Sequence, residues 1–483
     1  MAEATRPRSL ARRVAWNTLA QASARVGTLA LSLLITVLLT RHLGVSGYGA
    51  YVTVTIYVPF FALVFDAGIT TLAVRTLATA PDRVEEFRDA LGLRIALSLP
   101  VAALAFGLAW AIYGDDQSIR NGIAVALPII PLASVTSTMT ALFQARLEMD
   151  RPALAEITGQ LVTAALIVAL VAADAPLEAI FAAVVAGAGV NLVVVILFSR
   201  RIGNARPLLR PRTWIVLLRR ALPLGLALMI ATVYFRADAF LLSILKGPHA
   251  VGIYGVAYRL LEAVIAFPGF FYVSIFPLLA QAYARRDFDN LREVTQRAFD
   301  VLVIAAVPVV FGTLAIAPQI VHALAGKGFG DAVTPLRIVI LGAGFTFVNG
   351  LLSYLLIALD RQVIVLATTV ATLLFNLALN LALIPPYSYT AAAAAATASE
   401  LLTLAVMFVL ARRFAGFVPR LEVSLKAVAA GVAIVAALLV TPGILAVQLV
   451  VGAAVYAIAL LLLRTHRSLE LRELLRPGRS AAG

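Results

Sequence analysis

Long apolar stretches separated by short polar links run along the whole sequence. A helix needs about 20 mostly apolar residues to cross a hydrocarbon core about 30 Å thick, because each residue adds about 1.5 Å. Fourteen stretches meet this requirement, so the pattern predicts an all-α polytopic membrane protein with about 14 transmembrane helices. The predicted spans are 14–40, 48–74, 90–113, 120–146, 153–173, 177–199, 214–245, 251–282, 298–317, 333–359, 362–384, 388–411, 424–441 and 444–463.

Composition excludes a soluble fold. Only 13% of the 483 residues are charged and 62% are hydrophobic, whereas a soluble domain carries about 25% charged residues. The basic residues behind the net charge of +14 lie in every second link between spans. The link 75–94 is one of these, and Arg94 is counted as part of it. This bias predicts an inner-membrane protein with both termini in the cytoplasm. Because the bias accounts for the positive charge, no nucleic-acid partner is expected. The chain has no cysteine, and its four histidines show no ligand spacing, so no metal or other cofactor is expected.

Two motifs recur at the same places in the two halves of the chain. A Gly-Tyr-Gly segment, 47–49, follows the first span, and a related segment, 252–258, follows the seventh span, which is the first of the second half. Asp150-Arg151 follows the fourth span and Asp360-Arg361 the tenth. Six spans therefore repeat as six, which predicts two six-helix lobes related by a pseudo-two-fold axis along the membrane normal, plus two C-terminal helices.

The repeat gives a predicted organisation for the whole chain. The predicted parts are an N-lobe (1–199, spans 1–6), a basic cytoplasmic linker (200–213), a C-lobe (214–412, spans 7–12), spans 13–14 (413–465) and a cytoplasmic tail (466–483). The linker is rich in arginine and contains Pro207 and Pro211, as expected of a connector between lobes.

Ionisable side chains occur inside several apolar stretches. Each costs roughly 2.5–3.5 kcal/mol at bilayer depth, so such residues mark a polar cavity, a relay or a substrate path. Asn376 and Asn380 lie one turn apart on span 11, where inter-helix hydrogen bonding and contact with a polar cavity both explain them. The deep cations are Arg25, Arg236 and Arg259, and the deep carboxylates are Asp66, Asp238, Glu262 and Glu400.

The second half resembles the polysaccharide exporters of the multidrug/oligosaccharidyl-lipid/polysaccharide superfamily, and the resemblance extends over essentially the whole chain. The motifs that carry it are Arg236-x-Asp238, Val251-Gly252-Ile253-Tyr254, Ala257-Tyr258-Arg259-Leu260-x-Glu262, Asn376-x-x-x-Asn380, Leu383-Ile384-Pro385-Pro386-Tyr387 and Thr397-x-Ser399-Glu400, with Arg41-x-Leu43-Gly44 and Gly47-Tyr48-Gly49-x-Tyr51 in the first half. One departure is Thr390-Ala391-Ala392, where such proteins often have Gly-Ala-Ala.

The resemblance implies a flippase rather than an enzyme. Proteins of this kind move a polyprenyl-diphosphate-linked oligosaccharide from the cytoplasmic to the outer leaflet by alternating access. The implied partners are that glycan lipid, membrane lipids, H⁺ or Na⁺ as a coupling ion, and a polysaccharide polymerase or glycosyltransferases. The alternatives are a lipid II flippase, a cation-coupled drug exporter and a membrane glycosyltransferase or polymerase. The short outer loops and the absence of a catalytic constellation disfavour the last of these.

A diphosphate cargo gives the deep residues possible roles. Arginine stays charged when buried and binds phosphate in a bidentate way, so Arg25, Arg236 and Arg259 are predicted to bind the diphosphate. The alternative is internal pairing, for which Arg259 and Glu262 have a suitable i, i+3 spacing. The four carboxylates are predicted either to exchange a coupling ion or to form such pairs.

Overall fold

The computed structural model describes residues 7–64, 66, 68–80, 84–200, 206–441 and 443–463, and these residues contain helices and no strand. The predicted tail, 466–483, lies outside the described residues. The α-helices are α1 (Pro7–Val64), α2 (Ile69–Thr79), α3 (Val84–Ile112), α4 (Gln117–Ala126), α5 (Ile129–Ala145), α6 (Asp150–Ala172), α7 (Leu177–Ser199), α8 (Pro211–Ala284), α9 (Phe288–Ala325), α10 (Val333–Ala358), α11 (Gln362–Ala415), α12 (Glu422–Val440) and α13 (Leu445–Leu462), with a 3₁₀ helix at Lys327–Ala332.

The described part of the chain contains 11 helical stretches that are long and apolar enough to cross a membrane. Three of them turn at a residue with positive φ, namely Gly44 (65°), Gly247 (73°) and Ser388 (54°), and α9 has a further non-helical residue at Ile316 (φ −110°). Each of the three positive-φ turns divides one long helix into two segments, so the 11 stretches provide 14 segments (11 + 3). The predicted all-α polytopic membrane protein is confirmed.

The breaks at Gly44 and Gly247 are equivalent in the repeat. Their backbone angles are nearly the same, φ 65° with ψ −171° and φ 73° with ψ −173°. This left-handed region suits glycine, which has no Cβ to clash. Shortly after each break a glycine packs against the other segment: a Cβ on Gly49 would overlap the Pro248 carbonyl oxygen, and one on Gly252 would overlap the carbonyl oxygen of Val45. The two contacts have the same offset (248 − 45 = 203; 252 − 49 = 203), so the sequence repeat is also a backbone repeat.

The chain divides into two compact units, Met1–Gly252 and Ile253–Gly483. The lobe limits inferred from the sequence stay a prediction. In the first unit, the early part of α8 packs onto preceding helices, since Leu217 and Ala221 share a buried apolar cluster with Ile69. Further along, the Phe240 ring stacks on Tyr57 with centroids 6.2 Å apart. The first unit thus includes the part of α8 that carries Arg236 and Asp238.

The second unit has two apolar clusters. The larger one contains fully buried leucines of α8, α9 and α10, Leu279, Leu291, Leu351 and Leu355. The smaller one joins α9 to the last two helices, and the Tyr456 hydroxyl donates to the Ile304 carbonyl oxygen at 2.8 Å. The two C-terminal helices are therefore packed on α9.

The second predicted span, 48–74, is not one continuous helix, so this part of the prediction is wrong. α1 ends at Val64, and α2 begins only at Ile69 after Gly68, whose φ is 73°. A Cβ on Gly68 would lie 2.8 Å from the Ala221 carbonyl oxygen and 2.7 Å from the Gly225 nitrogen of α8. The close approach of α8 therefore requires glycine here, and it places Asp66 in the gap between two helices.

Candidate transport site

The cations predicted to bind the diphosphate lie on α1 and α8. Arg25 is exposed in the first segment of α1, and its carbonyl oxygen accepts a hydrogen bond from the Thr28 hydroxyl at 3.0 Å. Arg236 is half-buried on α8, whereas Asp238 is buried with 6% of its surface exposed. Residues two apart on a helix point to different sides, so Arg236 and Asp238 face different surroundings.

Arg259 and Glu262 form an ion pair on the second part of α8. The Arg259 Nη1 atom donates to Glu262 Oε2 at 3.1 Å, and both side chains remain about one-quarter exposed (28% and 23%). This is the i, i+3 contact that the spacing predicts. The pair leaves part of each group accessible, and a role of Arg259 in binding the diphosphate stays a prediction.

Asp66 is the acceptor in a small polar cluster of the first unit. Arg94 of α3 approaches Asp66 with Nη2 3.1 Å from Oδ1, and the Thr70 hydroxyl donates to the same oxygen at 2.6 Å. Arg94 also donates to the Ser137 hydroxyl at 3.3 Å. The Arg94 side chain is only 4% exposed and that of Asp66 16%, so a charged pair lies inside the helix packing.

Glu400 lies in a corresponding polar cluster of the second unit. The Asn349 Nδ2 atom of α10 donates to Glu400 Oε2 at 2.7 Å and to the Glu400 carbonyl oxygen at 3.0 Å. The Tyr272 hydroxyl donates to the Phe347 carbonyl oxygen at 2.9 Å, two residues before Asn349. Asn349 is buried, and its amide fixes α10 to the second segment of α11.

Asn376 connects the two segments of α11, and Asn380 contacts it from one turn further along the first segment. Asn380 Nδ2 donates to Asn376 Oδ1 at 2.9 Å, and Asn376 Nδ2 donates to the Ser399 hydroxyl at 3.2 Å. Both asparagines are almost completely buried, at 1% and 0% exposure. These contacts favour the helix-packing interpretation over contact with a polar cavity.

Two important polar residues were not singled out by the sequence analysis. Arg94 was counted with the cytoplasmic link 75–94, but it is buried and paired with Asp66. Its position between Leu91, Leu93 and Ile95 was the available signal, since an arginine at depth needs an acidic partner. Asn349 gave a weaker signal, because a single amide in an apolar helix is compatible with many contacts.

The candidate residues are cations suited to an anionic ligand and carboxylates suited to ion exchange or pairing. Within the described ranges, no group of three or more His, Asp or Glu side chains could hold a metal ion. The cations are on α1 and on both segments of α8, while the carboxylates are divided between the two units.

Known proteins resemble this chain in sequence and in fold. A family model described as polysaccharide biosynthesis protein matches residues 11–283, more than half of the chain, and a MatE model matches 223–382. No curated protein matches. Among solved structures, a lipid II flippase, MurJ, in an inward closed conformation is 14% identical with a TM-score of 0.77, covering 94% of this chain and 99% of that chain.

Multidrug transporters share the same fold. An inward-facing MATE family transporter is 14% identical with a TM-score of 0.67, covering 83% of this chain and 98% of that one. A superfamily transporter from Pyrococcus furiosus, described as having a binding pocket whose reverse polarity suggests a different function, is 14% identical with a TM-score of 0.57, covering 84% and 95%.

The helices, their breaks and these matches define a polytopic membrane protein with the fold of the transporters of this superfamily. The match over residues 11–283 specifies the family. The chain belongs to the polysaccharide biosynthesis protein family.

Proposed function

We propose that this protein translocates a polyprenyl-diphosphate-linked oligosaccharide repeat unit from the cytoplasmic to the outer leaflet by alternating access, for surface polysaccharide biosynthesis. The observation that carries the proposal is Arg236, a half-buried arginine in an apolar part of α8 within the region that matches the polysaccharide biosynthesis family. A permanently charged guanidinium at such a position suits an anionic cargo, because it can bind phosphate in a bidentate way. Arg25 and Arg259 contribute further positive charge.

The second candidate function is a lipid II flippase. The match to the solved lipid II flippase covers 94% of this chain, whereas the match to the inward-facing multidrug MATE transporter covers 83%. The two C-terminal helices, Glu422–Val440 and Leu445–Leu462, are compatible with this candidate, which predicts fourteen spans. Both cargoes carry a polyprenyl diphosphate, so the arginines do not distinguish them. A cation-coupled drug exporter is disfavoured, because an arginine at depth repels a cationic drug.

Coupling to H⁺ or Na⁺ is also part of the proposal. Asp66 and Glu262 each have an arginine within ion-pair distance, so we assign them to charge pairing. Asp238, a buried carboxylate of α8, and Glu400, which accepts a hydrogen bond from the Asn349 amide, are the proposed coupling carboxylates. The amide of Asn349 supports this role for Glu400, because an N–H donor can bind both a carboxylate and the carbonyl oxygen of a protonated acid. The proposed location is the inner membrane, with both termini in the cytoplasm.

The test is complementation of a strain that lacks this protein. We expect Arg236→Ala to lower surface polysaccharide at least about tenfold at normal protein abundance, because removal of a charged partner costs about 2–5 kcal/mol of binding. Arg236→Lys should restore only part of the activity, since lysine keeps the charge but loses the bidentate geometry. Arg285→Ala, at an exposed position near the end of the same helix, is the control and should transport normally. Normal transport by Arg236→Ala would exclude this residue from the site.

A further inference from the structure

The start of α8 has a basic and apolar exposed face. Successive residues of an α-helix are about 100° apart, which places Arg212, Val216 and Arg219 on one side and the buried Leu217 and Ala221 on the other. Arg220 is also exposed. Large apolar side chains on the same exposed surface are Ile215 (57% exposed), Val216 (49%) and Leu222 (49%).

The arginines of this face differ from their neighbour Arg210. Arg210 donates to Glu85 at 2.9 Å, and this hydrogen bond raises the pKa of the Arg210 guanidinium. In the described part of the chain, no carboxylate forms an ion pair with Arg212, Arg219 or Arg220. Three guanidinium groups thus stand beside exposed apolar side chains and are available to an anionic group from outside the protein.

The length of α8 places this face near one membrane surface. From Gly247, the break at the other end of the segment, to Arg219 there are 28 residues (247 − 219), or about 42 Å of helix. A bilayer is about 40–45 Å thick including its headgroups. When Gly247 lies at one surface, Arg219 and Arg220 therefore lie at the headgroup level of the opposite leaflet, and Arg212 lies about 10 Å further out.

We propose that Arg212, Arg219 and Arg220 form a binding surface for the headgroups of anionic phospholipids in the leaflet predicted to be cytoplasmic. Guanidinium groups match phosphate geometry, and the exposed isoleucine, valine and leucine between them contact the acyl chains. Basic residues next to a membrane-spanning helix attract anionic lipid, by about fivefold for each residue. This surface is separate from the deep arginines and goes beyond the proposed transport function.

The test measures lipid retained by the purified full-length protein. Native mass spectrometry would follow the protein in detergent after addition of phosphatidylglycerol or phosphatidylcholine. Wild type should retain phosphatidylglycerol at least about tenfold better than phosphatidylcholine. Arg212→Gln/Arg219→Gln/Arg220→Gln should lose most of this preference, whereas Arg212→Lys/Arg219→Lys/Arg220→Lys should keep a substantial part.

A matched control removes the same charge elsewhere. Arg285→Gln/Arg286→Gln/Arg412→Gln changes three exposed arginines outside this face and should keep the preference. An equal loss in the control would show a simple effect of net charge and overturn the proposal. Equal retention of both lipids by wild type would overturn it without any variant, so the test does not depend on the folding of the altered chains.

Discussion

Two polar clusters, Asp66 with Arg94 in the first unit and Glu400 with Asn349 in the second, hold a carboxylate by different chemistry. Asp66 has a buried guanidinium 3.1 Å away, whereas Glu400 accepts a hydrogen bond from a neutral amide at 2.7 Å. Removing one member of a buried ion pair leaves an uncompensated charge, while removing an amide mainly leaves an unmade hydrogen bond. The first cluster is therefore suited to fixing helices, whereas the proposed coupling role assigns a change of protonation to the second.

The largest expected effect comes from breaking the charged pair. Arg94→Met should lower the free energy of unfolding by about 3–5 kcal/mol, because it leaves Asp66 inside the helix packing without its guanidinium partner. Denaturant unfolding of the purified protein in one detergent measures this. A loss below 1 kcal/mol would contradict a buried pair.

A double variant of the same pair tests whether stability can be recovered. Asp66→Asn combined with Arg94→Met removes both charges, so it should recover more than half of the lost stability. Arg75→Met, at an exposed arginine of α2, is the control and should change the free energy of unfolding by less than about 0.5 kcal/mol. A double variant as unstable as Arg94→Met would show that packing of the long side chain, rather than charge, is what matters.

An intermediate effect is expected at the second cluster. Asn349→Ala removes the donor to Glu400 and should cost about 1.5–3 kcal/mol of unfolding free energy, the range for a hydrogen bond to a charged group. Glu400→Gln keeps a carbonyl acceptor for the Asn349 amide and should cost less. If Glu400→Gln destabilised the protein as much as Arg94→Met does, the proposed difference between the two polar clusters would be wrong.

The smallest effect belongs to the hydrogen bonds between the segments of α11. Asn376→Ala removes the donor to the Ser399 hydroxyl, so it should lower stability by about 0.6 kcal/mol, the average for inter-helix hydrogen bonds in membrane proteins, and should leave transport intact. Unfolding and complementation assays check the two parts of this prediction. Loss of transport at unchanged stability would instead place Asn376 in the cargo path.

Hydropathy was sufficient to predict the helices, because a bilayer demands apolar segments of fixed length. The repeat was also visible, since its glycine-containing motifs recur at readable positions. The break before Ile69 was missed because it depends on the approach of α8 to Gly68, a contact between residues more than 150 positions apart. Arg94 shows the same limit: its partner Asp66 is identified by three-dimensional packing, whereas Arg259 and Glu262 are neighbours on one helix and could be paired from spacing alone.

The proposed cargo is a lipid-linked oligosaccharide, and analysis of cellular lipids tests this proposal most directly. Mass spectrometry of polyprenyl-diphosphate lipids would compare cells depleted of this protein with cells complemented by wild type or by Arg236→Ala. We expect one oligosaccharide-linked lipid to accumulate on depletion, to disappear with wild type and to persist with Arg236→Ala. Accumulation of a peptide-bearing cell-wall precursor would support the lipid II candidate instead. No accumulation, with unchanged surface glycans and altered resistance to small cations, would contradict the account.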